Sequence, residues 1–301
     1  ILDTPADIME EALQYIRIII MGTAFISLYN YSANILRAVG ESRIPLLCLV
    51  VAVILNIFLD ILFVHTFSMG LRGAAHATNI AQCIAGVLCM AYLLFRFREL
   101  VPKGQEWQVQ RRKYQEMTVF GISLGMMSCF VSIGTVIFQT AVNRLGTKIV
   151  TAHIAARRIE ELTNVPMLCT GMAMTTYASQ NLGAGEYDRI KKGIHQAFVI
   201  VLVQGVIFTT FCWIFGHPLI RWITSSNDTY ILDTAYRYLT RNTSFYFVLG
   251  PLFVLRCSLQ GLEHKVIPVA SSILELVLKI VSTIWIVPVL GYTGVIYTEP
   301  I

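Results

Sequence analysis

Charge is what this chain has least of. Only 14% of its 301 residues are Asp, Glu, Lys or Arg, against about 25% in an ordinary soluble domain. Lys and Arg number 23 and Asp and Glu 18. An excess so small and so scattered excludes a nucleic-acid binder, which gathers basic residues on one face. No C-x-x-C spacing joins any two of the seven cysteines, and all seven stand in apolar stretches. That removes both a disulfide framework and a zinc-ribbon spacing, and Cys48, Cys83, Cys89, Cys129, Cys169, Cys212 and Cys257 read as small core residues. H-E-x-x-H and G-x-x-x-x-G-K are both missing, so neither a metalloprotease helix nor a phosphate-cradling loop is present. Gly121-Ile-Ser123-Leu-Gly125 matches the hydrolase elbow letter for letter. That elbow needs a strand–turn–helix setting, and here the letters open an apolar helix. No enzyme is read from this sequence.

What is abundant is apolar length. Apolar residues make up 55% of the chain, and a membrane span needs about 20 of them in succession. Eight stretches qualify: 18–36, 44–71, 73–95, 117–143, 149–185, 193–220, 239–259 and 266–290. A ninth opens at Val295. Lipid offers no partner to backbone polar groups, so each stretch must be a helix. The loops on one side collect Arg37, Arg43, the basic residues of 96–113 and Arg189 to Lys192, together with Arg256. That side outweighs the other in Lys and Arg and is therefore expected to be cytoplasmic. The only long polar stretch, 98–117, reads as a cytoplasmic linker between a first part, 1–97, with three spans, and a second, 118–301, with five spans and the start of a sixth.

The pattern repeats. Arg37, Gly40 and Pro45 are followed by Gly70-Leu-Arg-Gly73; Arg256, Gly261 and Pro268 are followed by Gly291-Tyr-Thr-Gly294. Both copies read span, Arg, Gly, Pro, span, Gly-x-x-Gly, span, and both enter the Gly/Pro loop from the same side. The repeat is therefore parallel, as in transporters built from two related halves. The second copy has three spans ahead of it and the first has none, so the sequence is expected to be a piece of a twelve-span protein.

These residues resemble the MATE family of multidrug and toxic compound extrusion transporters. Ile35 to Gly40 with Pro45 is similar to the loop after its fourth helix, Asn56 to Asp60 and Gly70 to Thr78 to its fifth and sixth helices, Gln180 to Gly185 to the close of its eighth, and 256–300 to its last three. The resemblance implies an all-α membrane protein of two six-helix lobes, lacking here its first helices and the end of its last. It implies export of amphipathic organic compounds, cations among them, in exchange for H⁺ or Na⁺ by alternating access. Partners are then a small organic substrate and the bilayer of the cell membrane. The protein is expected to work as a monomer without cofactor. A lipid or lipid-linked oligosaccharide flippase of related architecture is the alternative. Such a protein needs unpaired basic residues in its cavity, and Arg157, Arg158 and Lys279 each have an acidic neighbour.

Asp60 is the first candidate for chemistry, because an acid within a span is costly and marks a site by default. Asn56 stands one turn earlier on the same face. Their hard oxygens suit Na⁺ or a hydrogen-bonded proton, and no other metal is expected. The resemblance adds Thr78, since family members with a first-lobe cation site use Asn and Asp on the fifth helix and Thr on the sixth. The competing reading is an Asp that braces helix contacts. Glu275 and Lys279, spaced i,i+4, are either a self-neutralising pair or a gate. Arg157, Arg158, Glu160 and Glu161 are either a cavity lining or an interfacial charge cluster. Gln139 and Asn143 share a face and are suited to an interhelical hydrogen bond.

Overall fold

The computed structural model describes residues 6–101, 103–104, 110–264 and 266–299, without the side chains of 6–9, 11 and 12. Positions 102 and 105–109 of the expected linker lie outside them. Among the described residues there are helices and no strand. The chain divides into two compact units, Ile1–Val109 and Gln110–Ile301.

The first unit contains α1 (Ala6–Ala38), α2 (Arg43–Asp60), a π-helical turn (Ile61–Thr66) and α3 (Gly70–Arg96). Helix α3 packs on both α1 and α2. The reason is its stripe of small residues: Gly73, Ala75, Ala77, Ala81, Ala85, Gly86 and Cys89 are all buried. Small side chains let helix backbones approach in a solvent that supplies no hydrophobic drive between helices. At Gly22 on α1, a Cβ would lie 1.8 Å from Asn79 Oδ1. The Asn79 amide donates instead to Ile18 O at 2.7 Å, tying α3 to α1.

The second unit contains α4 (Arg111–Asn143), α5 (Thr147–Gly183), α6 (Tyr187–Thr224), α7 (Thr229–Thr243), α8 (Tyr246–Gly261), α9 (Val266–Leu290) and α10 (Tyr292–Thr298). Helix α5 packs against α6, α7 and α8, while α9 packs against α4 and α10. Asp228 caps α7 by accepting from Tyr230 N at 3.0 Å and meets Lys148 of α5 at 2.7 Å.

Among the described residues, six helical stretches are each long and apolar enough to cross a membrane: Leu13–Ala38, Arg43–Thr66, Gly70–Arg96, Arg111–Asn143, Tyr187–Thr224 and Val266–Leu290. The other two expected spans differ from a simple apolar rod. Helix α5 has ample length, but Lys148, Arg157, Arg158, Glu160 and Glu161 fall within it. The expected 239–259 span is two helices, α7 and α8, meeting at Ser244 and Phe245, and α7 begins ten positions earlier than the apolar run. Helix α4 starts at Arg111, inside the expected linker. Trp222, Trp285 and Val289 each have three quarters or so of their surface exposed, an apolar exterior that matches lipid. Cys48, Cys89 and Cys212 are buried as expected of small core residues, whereas Cys129 and Cys169 are exposed.

The duplicated corners share the same local features. Pro45 and Pro268 each stand third in their helix, inside the first turn where a missing N–H costs nothing. Gly70 and Gly291 have φ of +56° and +57°, a region open to glycine. Three residues on, Gly73 and Gly294 press against the end of the preceding helical segment: a Cβ would meet Phe63 at 3.0 Å and Ile286 O at 2.8 Å.

Candidate functional site

In the first unit the chemistry-bearing residues gather where α2 faces α3. Asn56 and Asp60 are one turn apart and both half-buried. The Asn56 amide donates to Thr78 Oγ1 at 3.5 Å, and the Thr78 hydroxyl donates to Ala74 O at 3.0 Å. Thr78 thereby spends its hydrogen on its own helix and offers its lone pair across the gap. Asp60 Oδ1 is buried without a hydrogen-bond partner among the described residues. Asp60 ends the α-helical part of its span, and the next turn is π-helical: Phe67 N–H reaches back five residues to Leu62 O at 3.0 Å. Nothing in the apolar pattern announces that turn.

In the second unit, Arg157, Glu160 and a residue that sequence reasoning passed over form a network. Arg157 lies 3.5 Å from Glu160, 3.8 Å from Glu161 and 2.6 Å from Glu299. The Tyr238 hydroxyl contacts both Glu160, at 3.1 Å, and Glu299. Glu160 is only 6% exposed. Tyr246 completes the layer, its hydroxyl 2.6 Å from Thr163 Oγ1. Arg157, Arg158, Gln139 and Glu299 line a cavity of about 270 Å³. The Gln139 amide donates to Asn143 Oδ1 at 2.9 Å, so the pair bonds along α4 rather than between helices. Tyr238 lies on the polar α7 and Glu299 directly after α10, and neither long-range partner is visible to local spacing.

Glu275 and Lys279 do pair, at 3.1 Å, and a third charge joins them. Arg256 was assigned to a loop, but it sits within α8, mostly buried. Its guanidinium lies 3.5 Å from Glu275 and also bonds Ser272. Arg256 had been counted with the loop charges although it falls near the end of the expected 239–259 span, and α8 continues past it to Gly261. Two cations therefore share one carboxylate. Lys279 also packs over Gly134 of α4, where a Cβ would meet its Cδ at 3.3 Å.

The MatE family model matches residues 1–62 and 124–285, most of the chain. The chain belongs to the MatE family. It is 28% identical over 290 residues to "Probable multidrug resistance protein YpnP" of Bacillus subtilis, covering 95% of this chain and 62% of that protein. It is 24% identical over 285 residues to "Probable multidrug resistance protein YoeA" of the same organism, covering 91% and 60%. The chain thus spans about three fifths of the length of these MatE relatives. A solved outward-facing structure of a multidrug resistance MATE family transporter matches with a TM-score of 0.89 at 20% identity, over 99% of this chain and 67% of that one. At that identity the likeness establishes the fold alone, an all-α bundle. MatE members are transporters and not enzymes.

Proposed function

We propose that the chain is the greater part of a secondary active antiporter that exports small amphipathic organic compounds, cations among them, in exchange for H⁺ or Na⁺. The observation that carries this reading is Asp60: a half-buried carboxylate within a membrane span, one oxygen unpartnered, beside the Asn56–Thr78 pair. A carboxylate, a carboxamide oxygen and a hydroxyl are the hard ligands Na⁺ takes, and the same carboxylate holds a proton. Multidrug resistance names among its relatives support the substrate class. Binding at Asp60 drives the cycle only if the ion binds the two conformations with different affinity. The protein then works as a monomer in the cell membrane, with the 98–117 linker cytoplasmic, and needs no cofactor beyond the coupling ion.

The test is ethidium efflux from cells expressing the full-length parent, wild type against Asp60→Asn, at equal surface expression, with and without a Na⁺ gradient and an uncoupler. Efflux lost in Asp60→Asn supports the site, and the gradient whose removal stops wild type names the ion. Equal efflux in both overturns it.

The flippase reading gains one observation. Arg256 and Lys279 around the single carboxylate of Glu275 leave a net positive charge at membrane depth, which suits an anionic head group. Headgroup translocation in vesicles of the full-length protein, without dye efflux, is the result that favours it.

A further inference from the structure

Arg17 on α1 and Arg72 on α3 stand within the apolar stretches Leu13–Ala38 and Gly70–Arg96. Both are exposed, and neither makes an ion pair or a hydrogen bond among the described residues. Glu10, the described acid nearest to Arg17 in sequence, is engaged by Gln14 Nε2 at 3.2 Å. An unpaired guanidinium in a span is costly unless its long side chain reaches the interface.

The two arginines reach the same interface. Helices α1 and α3 run in the same direction, because α2 turns the chain back between them. The bond from Asn79 Nδ2 to Ile18 O fixes their relative height. Arg72 precedes Asn79 by seven residues, about 10 Å along the axis, and Arg17 directly precedes Ile18. Helical side chains lean toward the N-terminus, so both guanidiniums extend toward the end at which α1 and α3 begin. That end is opposite the one from which α3 leads into the 98–117 linker.

Below them a crevice of about 480 Å³ opens between α1 and α3. Arg17 is one turn before Met21 and Arg72 one turn before His76, and both Met21 and His76 are on its wall. Past the His76 imidazole the wall is apolar in the main, with Ile18, Phe25, Ile80 and Cys83. Met21 is 78% exposed, so nothing in the first unit closes the crevice. Two free cations, one neutral hydrogen-bonding ring and an apolar slot follow one another down the helix pair. A phospholipid has the same order: phosphate, ester oxygens, acyl chain.

We propose that this crevice binds an anionic phospholipid. One acyl chain lies between α1 and α3, the ester oxygens meet His76, and Arg17 and Arg72 hold the phosphate. Free phosphate would use the arginines and leave the apolar slot empty; a lipid uses both. The site goes beyond the antiporter reading and rests neither on it nor on Asp60.

The test uses the full-length protein in nanodiscs containing phosphatidylglycerol with a photoactivatable diazirine on its acyl chain, with the labelled peptides mapped by mass spectrometry. Label is expected to concentrate in 18–25 and 76–84. Removing both cations in Arg17→Gln with Arg72→Gln lowers it about tenfold. Cys83→Trp, which fills the slot and leaves the arginines, lowers it as well, and Asp60→Asn leaves it. A phosphatidylcholine probe with the same tail labels these segments less, and inorganic phosphate does not compete. Absence of label from both segments in wild type overturns the proposal, since the crevice is then covered by something else. So does equal labelling by the two lipids, label unmoved in the double arginine variant or in Cys83→Trp, or label displaced by inorganic phosphate.

Discussion

Arg157 on α5 and Glu299, directly after α10, meet at 2.6 Å although 142 positions separate them. The contact ties the last described helix to the middle of the unit. Removing one partner of a buried pair leaves an uncompensated charge, at a cost of about 3 kcal/mol or more. Arg157→Met is therefore expected to lower stability by about 3 kcal/mol, because Glu160 and Glu299 both lose their counter-charge. Arg157→Met combined with Glu299→Gln should recover part of that loss. Unfolding of the full-length protein in mixed micelles measures both; equal losses in single and double variants would show the pair to be uncoupled.

The Arg256–Glu275–Lys279 triad gives an asymmetric expectation. Lys279→Met leaves one guanidinium on one carboxylate and should cost within about 1 kcal/mol, as replacing a buried charge by a well-shaped apolar chain often does. Glu275→Gln leaves two cations facing each other and should cost about 3 kcal/mol. The same micelle titration distinguishes them, and a reversed order refutes the charge count.

Gly261 sets the distance between α8 and α5. A Cβ there would lie 2.4 Å from Thr175 O, and backbone cannot step aside as a side-chain tip can. Gly261→Ala is expected to destabilise by about 1–3 kcal/mol, the range for overpacking. A thermal midpoint equal to wild type would show that the helices separate without cost.

Asn56 and Thr78 should be coupled weakly. Interhelical hydrogen bonds in membranes average about 0.6 kcal/mol in double-mutant cycles, and this one is long at 3.5 Å. Asn56→Ala and Thr78→Ala are expected to add to within that figure in stability. If the cation site is real, each also raises the ion concentration that gives half-maximal efflux from cells carrying the full-length protein.

Outside the spans, the Lys148 ammonium, hydrogen-bonded to Asp228, holds that carboxyl below its usual range, and the same bond raises the lysine. A lowered carboxylate contributes stability that is present above its unfolded value, about 3.9, and is lost as pH falls through the folded one. The lysine contribution runs the other way and is lost only as pH rises past about 10.4. Asp228→Asn keeps the helix cap and removes the charge. Its thermal midpoint should fall slightly below wild type at neutral pH and converge with it in acid. A gap that persists in acid would assign the effect to the cap.

The membrane character and most helices were legible because runs such as 73–95 and 193–220 carry no charge. The repeat was legible because Pro45 and Pro268, and Gly70 and Gly291, answer backbone demands that few other residues meet. Asn56 and Asp60 were legible as polar residues in apolar company, Thr78 only through the family resemblance, and the structure places Asn56 against Thr78. What stayed hidden was long-range or counter to composition. Arg256 looked like a loop charge because its partner Glu275 lies on another helix. Glu299 and Tyr238 find Glu160 only when α5, α7 and α10 converge. The α7–α8 break was hidden because the polar α7 lies outside the apolar run that marks α8.

The π-helical turn after Asp60 carries a geometric consequence. It holds one residue more than an α-helical turn does, and each residue of an α-helix advances about 100° around the axis. Side chains late in 61–66 are therefore swung out of phase with those of 43–60. A helical wheel drawn straight through from Arg43 to Phe67 puts His65 and Phe67 on the wrong compass bearing. The span behaves as one straight rod with an underwound tip, and Asp60 is the last tooth in register.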